Sequence, residues 1–145
     1  MQTQIHQFNN ADRQWLAQGL SIGREICTRY LSEKVIDAEA LDRVFALWAA
    51  SPAGARKFSA NDVAHGLGCL FGELLQKQFR FSWCRIEDRF GNEPALLDEA
   101  TGSIVMPANA VYKRIEPELQ QQPFFTPMWQ MITAHLEKNT NKPED

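Results

Sequence analysis

The sequence has little of what most catalytic, metal-binding or membrane-bound classes need. Its three cysteines, Cys27, Cys69 and Cys84, are an odd and widely spaced set with apolar neighbours and no Cys-x-x-Cys pair. They read as small buried hydrophobes in a reducing compartment, not as a disulfide framework or a thiol site. Its three histidines, His6, His65 and His135, lack a partner at the i+3 or i+4 spacing of a helix-borne zinc site, so no metal is expected. No stretch approaches the ~18–20 apolar residues that span a bilayer, and Met1-Gln2-Thr3-Gln4-Ile5-His6 lacks the basic flank and apolar run of a secretory signal. A cytoplasmic address without membrane contact is the expectation. Basic residues are not in excess: 15 Lys+Arg stand against 18 Asp+Glu, a net charge of −3. General nucleic-acid binding needs a basic stripe to displace phosphate counterions, so DNA and RNA are not expected partners.

Nucleophile and phosphate motifs are missing as well. There is no Gly-x-Ser-x-Gly elbow, and Gly66-Leu67-Gly68 lies inside a helical pattern with no phosphate-loop lysine after it, so packing by small residues explains it better. His65 precedes Cys69 by four on one predicted helix, which reads as a surface histidine beside a core cysteine. No catalytic residue and no cofactor is assigned, and an enzyme is the less favoured reading.

What is present is the composition of one globular domain: 145 residues, 44% hydrophobic and 23% charged. A chain of this length buries roughly 68–70% of its unfolded surface, enough for a core without staples. Trp15, Leu16, Leu20, Ile26, Cys27, Tyr30 and Leu31 form one stripe of a first helix running from Asn10 to about Glu33. Asp37 caps a second helix with Leu41, Val44, Phe45 and Trp48, ended by Ser51-Pro52-Ala53-Gly54, and the two helices are expected to pair antiparallel. Ser59-x-x-Asp62 outlines a capping box for a third, central helix carrying Val63, Leu67, Leu70, Phe71, Leu74 and Leu75. Gly68 and Gly72 leave a smooth strip on it. Helical glycine costs about 1 kcal/mol relative to alanine, so the pair implies that a helix or sheet packs very close.

After Phe79 the pattern turns to period two. Phe81–Glu87, Ala95–Leu97 and Ser103–Met106 read as three strands of an antiparallel meander, with turns at Asp88–Glu93 and Glu99–Gly102. Pro107 suits the start of a short helix through Val111 and Ile115, although Val111, Lys113 and Ile115 also alternate like a strand; helix is favoured. Gln120–Pro123 is a connector, Thr126-Pro127 starts a last amphipathic helix, and the tail from 139 to 145 reads as flexible. The expected architecture is a single α+β domain over 1–138: an amino-terminal helical layer packed on a small three-stranded antiparallel meander, closed by a C-terminal helix.

The order Leu67-Gly68-x-x-Phe71-Gly72-Glu73-Leu74-Leu75, then Trp83 opening a strand that ends at Asp88, then Pro94-Ala95-Leu96, Val105-x-Pro107 and Lys113-Arg114-Ile115-Glu116 resembles the bacterial domain of unknown function 3806 family. The resemblance covers about Leu67–Glu116 and implies an α+β fold. It supplies no reaction, cofactor or catalytic residue.

Two surfaces remain as candidates. Residues 1–78 are balanced at eight basic and eight acidic groups, whereas residues 79–145 hold seven basic and ten acidic ones. Five of those acids, Glu87, Asp88, Glu93, Asp98 and Glu99, fall between Ile86 and Ala100 against the single base Arg89. They form either a solvated acidic edge that discourages strand pairing or a docking surface for a basic protein partner. Phe90, at the tip of the first turn, and Phe124-Phe125 supply aromatics for such a contact. The first functional expectation is therefore a small non-enzymatic interaction protein, most concretely an immunity protein that neutralises a secreted bacterial toxin with a basic domain. The alternative is a small-molecule-binding domain or enzyme with a pocket between the central helix and the sheet, using Glu73, Trp83, Lys113 and Arg114. Glu73 beside the apolar stripe should seek Lys113 or Arg114, either as a structural ion pair or at a pocket mouth.

Overall fold

In the computed structural model, residues 2–32, 35–116 and 122–140 are described. Their elements in chain order are β1 (Gln4–Gln7), α1 (Asn10–Tyr30), α2 (Ala38–Ala50), a short 3-10 turn (Ala53–Ala55), α3 (Ala60–Gln78), β2 (Ser82–Asp88), β3 (Gly91–Asp98), β4 (Ser103–Val105), α4 (Pro107–Lys113) and α5 (Phe125–Thr140). The α+β class and the meander are as expected, but the sheet has four strands in the order β1-β2-β3-β4, all antiparallel. The added strand is Gln4–Gln7, whose four residues are all exposed. It is a strand because β2 offers it a free edge, with Ile5 opposite Ile86 and His6 opposite Arg85.

Caps set the helix starts. Asn9 and Asp12 form a reciprocal capping box on α1, and Ser59 and Asp62 form one on α3. Asp37 caps α2 by accepting from the Ala40 amide. α1 stops at Tyr30, short of the expected end, and Glu33 lies outside the described residues. α5 is capped differently from expectation. It begins at Phe125, and the acceptor for its first amides is Asp42 of α2, whose carboxylate takes the N–H groups of Phe124, Phe125 and Thr126 and the Thr126 hydroxyl at 2.6–3.0 Å. The helix continues to Thr140, so it takes in the first two residues of the expected tail; residues 141–145 and the first half of the Gln120–Pro123 connector lie outside the described residues.

The helices pack through glycines. α1 lies mainly against α3 and only lightly against α2, in place of the expected α1–α2 pair. Trp15 meets His65, Gly23 meets Gly66 and Arg24 meets Glu73, so contacts advance in step along both helices, which run in the same direction. A Cβ on Gly66 would sit 2.7 Å from the Gly23 nitrogen. The expected close approach at Gly68 and Gly72 is also found: Gly68 abuts the α4 backbone at Pro107 and Ala108, and Gly72 receives the Trp83 ring and Leu96. The core between helices and sheet centres on Trp48, Phe45, Phe71 and Phe125, each at most 2% exposed. Phe124 and Phe125 belong to it, which removes them from the docking surface. The other face of the sheet holds a second small cluster, Cys84, Ile86 and Ala95 with Leu97 and Met106. No helix among the described residues is long and apolar enough to cross a membrane.

Candidate functional site

The β2–β3 hairpin is closed by only two residues, Arg89 and Phe90, because Asp88 pairs with Gly91. Asp88 Oδ1 accepts the Phe90 N–H at 2.8 Å and fixes the turn. With the turn so fixed, Phe90 projects from the tip at 82% exposure, with the Arg89 guanidinium 4.7 Å from its ring centre. Strand alternation then sets which acids accompany it. Opposite partners in an antiparallel pair share a face, so Ile86, Asp88, Gly91 and Glu93 lie together on the face of the hairpin opposite to Arg85 and Glu87. There they line a notch of about 150 Å³ with Phe90, Met106 and Asn109. Its floor is apolar, Ile86 being 3% exposed, and its walls carry the two carboxylates. Among the described residues the Glu93 carboxylate has no hydrogen-bond or ion-pair partner.

The other predicted acids separate from this group. Glu87 projects from the opposite face, where it takes a hydrogen bond from the Asn92 side chain at 3.2 Å and lies 3.8 Å from His6. Asp98, at 7% exposure, is an internal turn acceptor for the Ala100 amide and the Thr101 hydroxyl, with Gly102 at φ +74° completing that turn. Asp98 and Glu99 are at the far end of β3 from Phe90. Five or more residues at ~3.3 Å each put them roughly 17–20 Å from Glu93, too far for a single small contact. The expected acidic surface thus contracts to Asp88, Phe90 and Glu93, with Glu87 at its margin and Glu99 exposed elsewhere.

The four residues of the alternative pocket do not come together. Glu73 pairs with Arg24 of α1 at 3.0 Å and with Lys77, one turn on, at 3.4 Å, so the expected pairing with Lys113 or Arg114 is replaced by a tie between α1 and α3. Arg114 instead lies 5.7 Å from the Phe124 ring centre, and Lys113 is exposed beside it. Trp83 fills the space over Gly72 and stacks with Phe8, so the region between the central helix and the sheet is plugged by its indole.

A wider cleft of about 460 Å³ adjoins the notch, sharing Glu93 and Asn109 with it, and includes Trp15, Asp62, His65 and Tyr112. His65 stacks on Trp15 at 4.7 Å and its Nε2 lies 2.7 Å from the Trp15 carbonyl. A carbonyl oxygen only accepts, so Nε2 carries the hydrogen. Burial pushes the Cys69 thiol up to about 12 and the Cys27 thiol to about 11, and it also raises Cys84, which keeps all three protonated at neutral pH.

Sequence reasoning missed the ion pair that fastens this region. Asp12 of α1, 2% exposed, accepts from Arg85 Nε at 2.9 Å and from Arg85 Nη2, while Arg85 Nη1 reaches the Asn92 carbonyl at 3.1 Å. The Arg85 hydrogen bonds hold the Asp12 carboxyl below the usual carboxylate range against the cost of its burial. The partners are 73 residues apart. The signal that could have found them was an arginine between Trp83, Cys84 and Ile86 in the strand, which needs an acid from the layer above.

A family described as "Domain of unknown function (DUF3806)" matches residues 37–125, more than half of the chain. A crystal structure from Bacteroides thetaiotaomicron VPI-5482 has a similar fold, with a TM-score of 0.69 at 13% identity, over 93% of this chain and 48% of that one. The chain thus spans about half the length of that protein, and at this identity the likeness concerns the fold alone. No curated protein matches the chain.

Proposed function

The chain belongs to the DUF3806 family, whose description carries no activity, and we propose from its geometry that it is a protein-interaction domain docking a basic partner through the tip of the β2–β3 hairpin. The observation that carries this reading is Phe90, at 82% the most exposed large hydrophobic side chain among the described residues, held out by a two-residue turn and flanked by Asp88 and Glu93. A large exposed aromatic costs solvation in the free protein and regains it when a partner covers it, and a charged rim steers approach and rejects partners of like charge. The most concrete form is an immunity protein that binds a secreted bacterial toxin, since a toxin acting on nucleic acid presents a basic cleft complementary to such a rim.

Affinity purification from the native cell with the immobilised protein tests it. Wild type captures a partner that the Phe90→Ala/Glu93→Lys variant loses, and on co-expression only wild type relieves the partner's toxicity. Equal capture by both proteins removes the hairpin from the interface. Capture of a non-toxic partner retains the interaction reading and removes the immunity form.

A further inference from the structure

We infer that the notch beside the hairpin receives a single lysine or arginine side chain of the partner, an assignment that rests on the interaction reading above. The volume sets the size of the guest. About 150 Å³ is the space that holds one benzene-sized group of about six heavy atoms, the size of one long side chain and too small for a helix or folded loop. The lining sets its chemistry. Ile86 and Met106 offer an apolar floor on which the methylene stem of a basic side chain can lie, because such stems bury readily while the charged head seeks polar contact. Asp88 and Glu93 stand on the same face of adjacent strands, placed by the register that sets Ile86 opposite Glu93 and Asp88 opposite Gly91. Asp88 commits one oxygen to the Phe90 amide, leaving the other, and Glu93 has no partner among the described residues, so the charged head would find acceptors not already in use. Among the described residues no lysine or arginine lines the notch, Arg89 lying instead over the Phe90 ring. An anionic or wholly apolar guest would meet two carboxylates at the cost of their solvation.

The test uses the full chain and three blocked tripeptides, acetyl-Gly-X-Gly-amide with X lysine, arginine or norleucine, followed by NMR at the Ile86 methyl and Phe90 ring signals. The lysine and arginine peptides are expected to shift both signals and saturate in the millimolar range, weakening as salt rises, with norleucine much less effective. Glu93→Gln, at a half-buried position without partners, should keep the fold and weaken the basic peptides about tenfold, the scale of one lost charge-assisted contact. Silent Ile86 and Phe90 signals, an equal response to norleucine, or unchanged binding by Glu93→Gln would overturn the assignment. The two proposals fail separately. A saturating peptide titration with partner capture unaffected by the Phe90 variant removes the interaction reading, and lost capture with a silent titration removes only the notch.

Discussion

The α1–α3 crossing gives a sharp quantitative test, because Gly66→Ala sets two opposed effects against each other. Alanine is favoured over glycine inside a helix by about 0.8–1.0 kcal/mol, so propensity alone predicts a more stable protein. The structure predicts the reverse. The new methyl would lie 2.7 Å from the Gly23 nitrogen, 2.9 Å from its Cα and 3.1 Å from Ile22 Cγ2, whereas carbon contacts are optimal at about 3.5–4.0 Å. The obstructing atoms are mostly backbone, which cannot rotate aside, so α1 must retreat by roughly 0.7–1 Å. A gap of that size forfeits a quarter to a half of each dispersion contact across the interface. Overpacking of this kind costs about 1–3 kcal/mol, and with rigid neighbours the upper end applies. Subtracting the propensity gain leaves a net loss of about 2 kcal/mol, or roughly 6–10 °C in Tm for a chain of this size. Urea unfolding followed by tryptophan fluorescence should show a lower midpoint with an unchanged slope. Gly54→Ala, with nothing within 4 Å of the added methyl, should stay within about 0.5 kcal/mol of wild type. A Gly66→Ala protein as stable as wild type would refute the packing argument, and so would full additivity with Gly23→Ala, since helices already forced apart should feel the second methyl less.

Three further outcomes follow from the contacts described. Asp12→Ala breaks both a capping box and the ion pair to Arg85 and should cost roughly 2–3 kcal/mol, below the ~3–5 of a fully buried pair because the Arg85 side chain is 26% exposed. Asp12 has a lowered pKa, so its contribution is complete above the unfolded value near ~3.9 and is lost as pH falls through the folded value; the stability gap to Asp12→Ala should be constant from neutral pH to about 5 and close below about 4. Asp42→Ala removes the acceptor for three amides and a hydroxyl at the start of α5 and should destabilise by about 2 kcal/mol, with faster hydrogen exchange at Phe124, Phe125 and Thr126 and a shifted Trp129 emission. The thiols should stay silent to an aromatic disulfide reagent at pH 8 in the native protein and all react in denaturant; above pH 9 the unfolded chain ionises first, so stability should decline toward the folded values of about 11 and 12.

The sequence was most informative where structure is local. The capping signals at Asp37 and Ser59-x-x-Asp62, the apolar stripes and the smooth strip at Gly68 and Gly72 each depend on neighbours a few residues away, and each recurs in the fold. β1 escaped because Gln4–Gln7 has one apolar residue and no alternation; only the edge of β2 makes it a strand. The same limit governs the site. The exposed tip at Phe90 follows from its turn, but the Glu73 partner, the Asp12–Arg85 pair and the interior place of Asp98 depend on which elements the topology brings together. Counting acids along the chain also ignores strand alternation, which sends Glu87 and Asp88 to opposite faces although they are adjacent.

The same-direction packing of α1 on α3 bears on how the matched segment depends on the rest of this chain. The family match begins at residue 37 and stops at 125, whereas β1, α1 and nearly all of α5 lie outside it. A fragment trimmed to the match would expose the glycine face of α3, strip Arg85 of its counter-charge, leave the edge of β2 open to strand addition, and leave the Asp42 carboxylate with no helix to hold. In this chain the matched segment is thus narrower than the set of elements that pack together, and its buried faces, its strand arginine and its sheet edge are all completed from outside it.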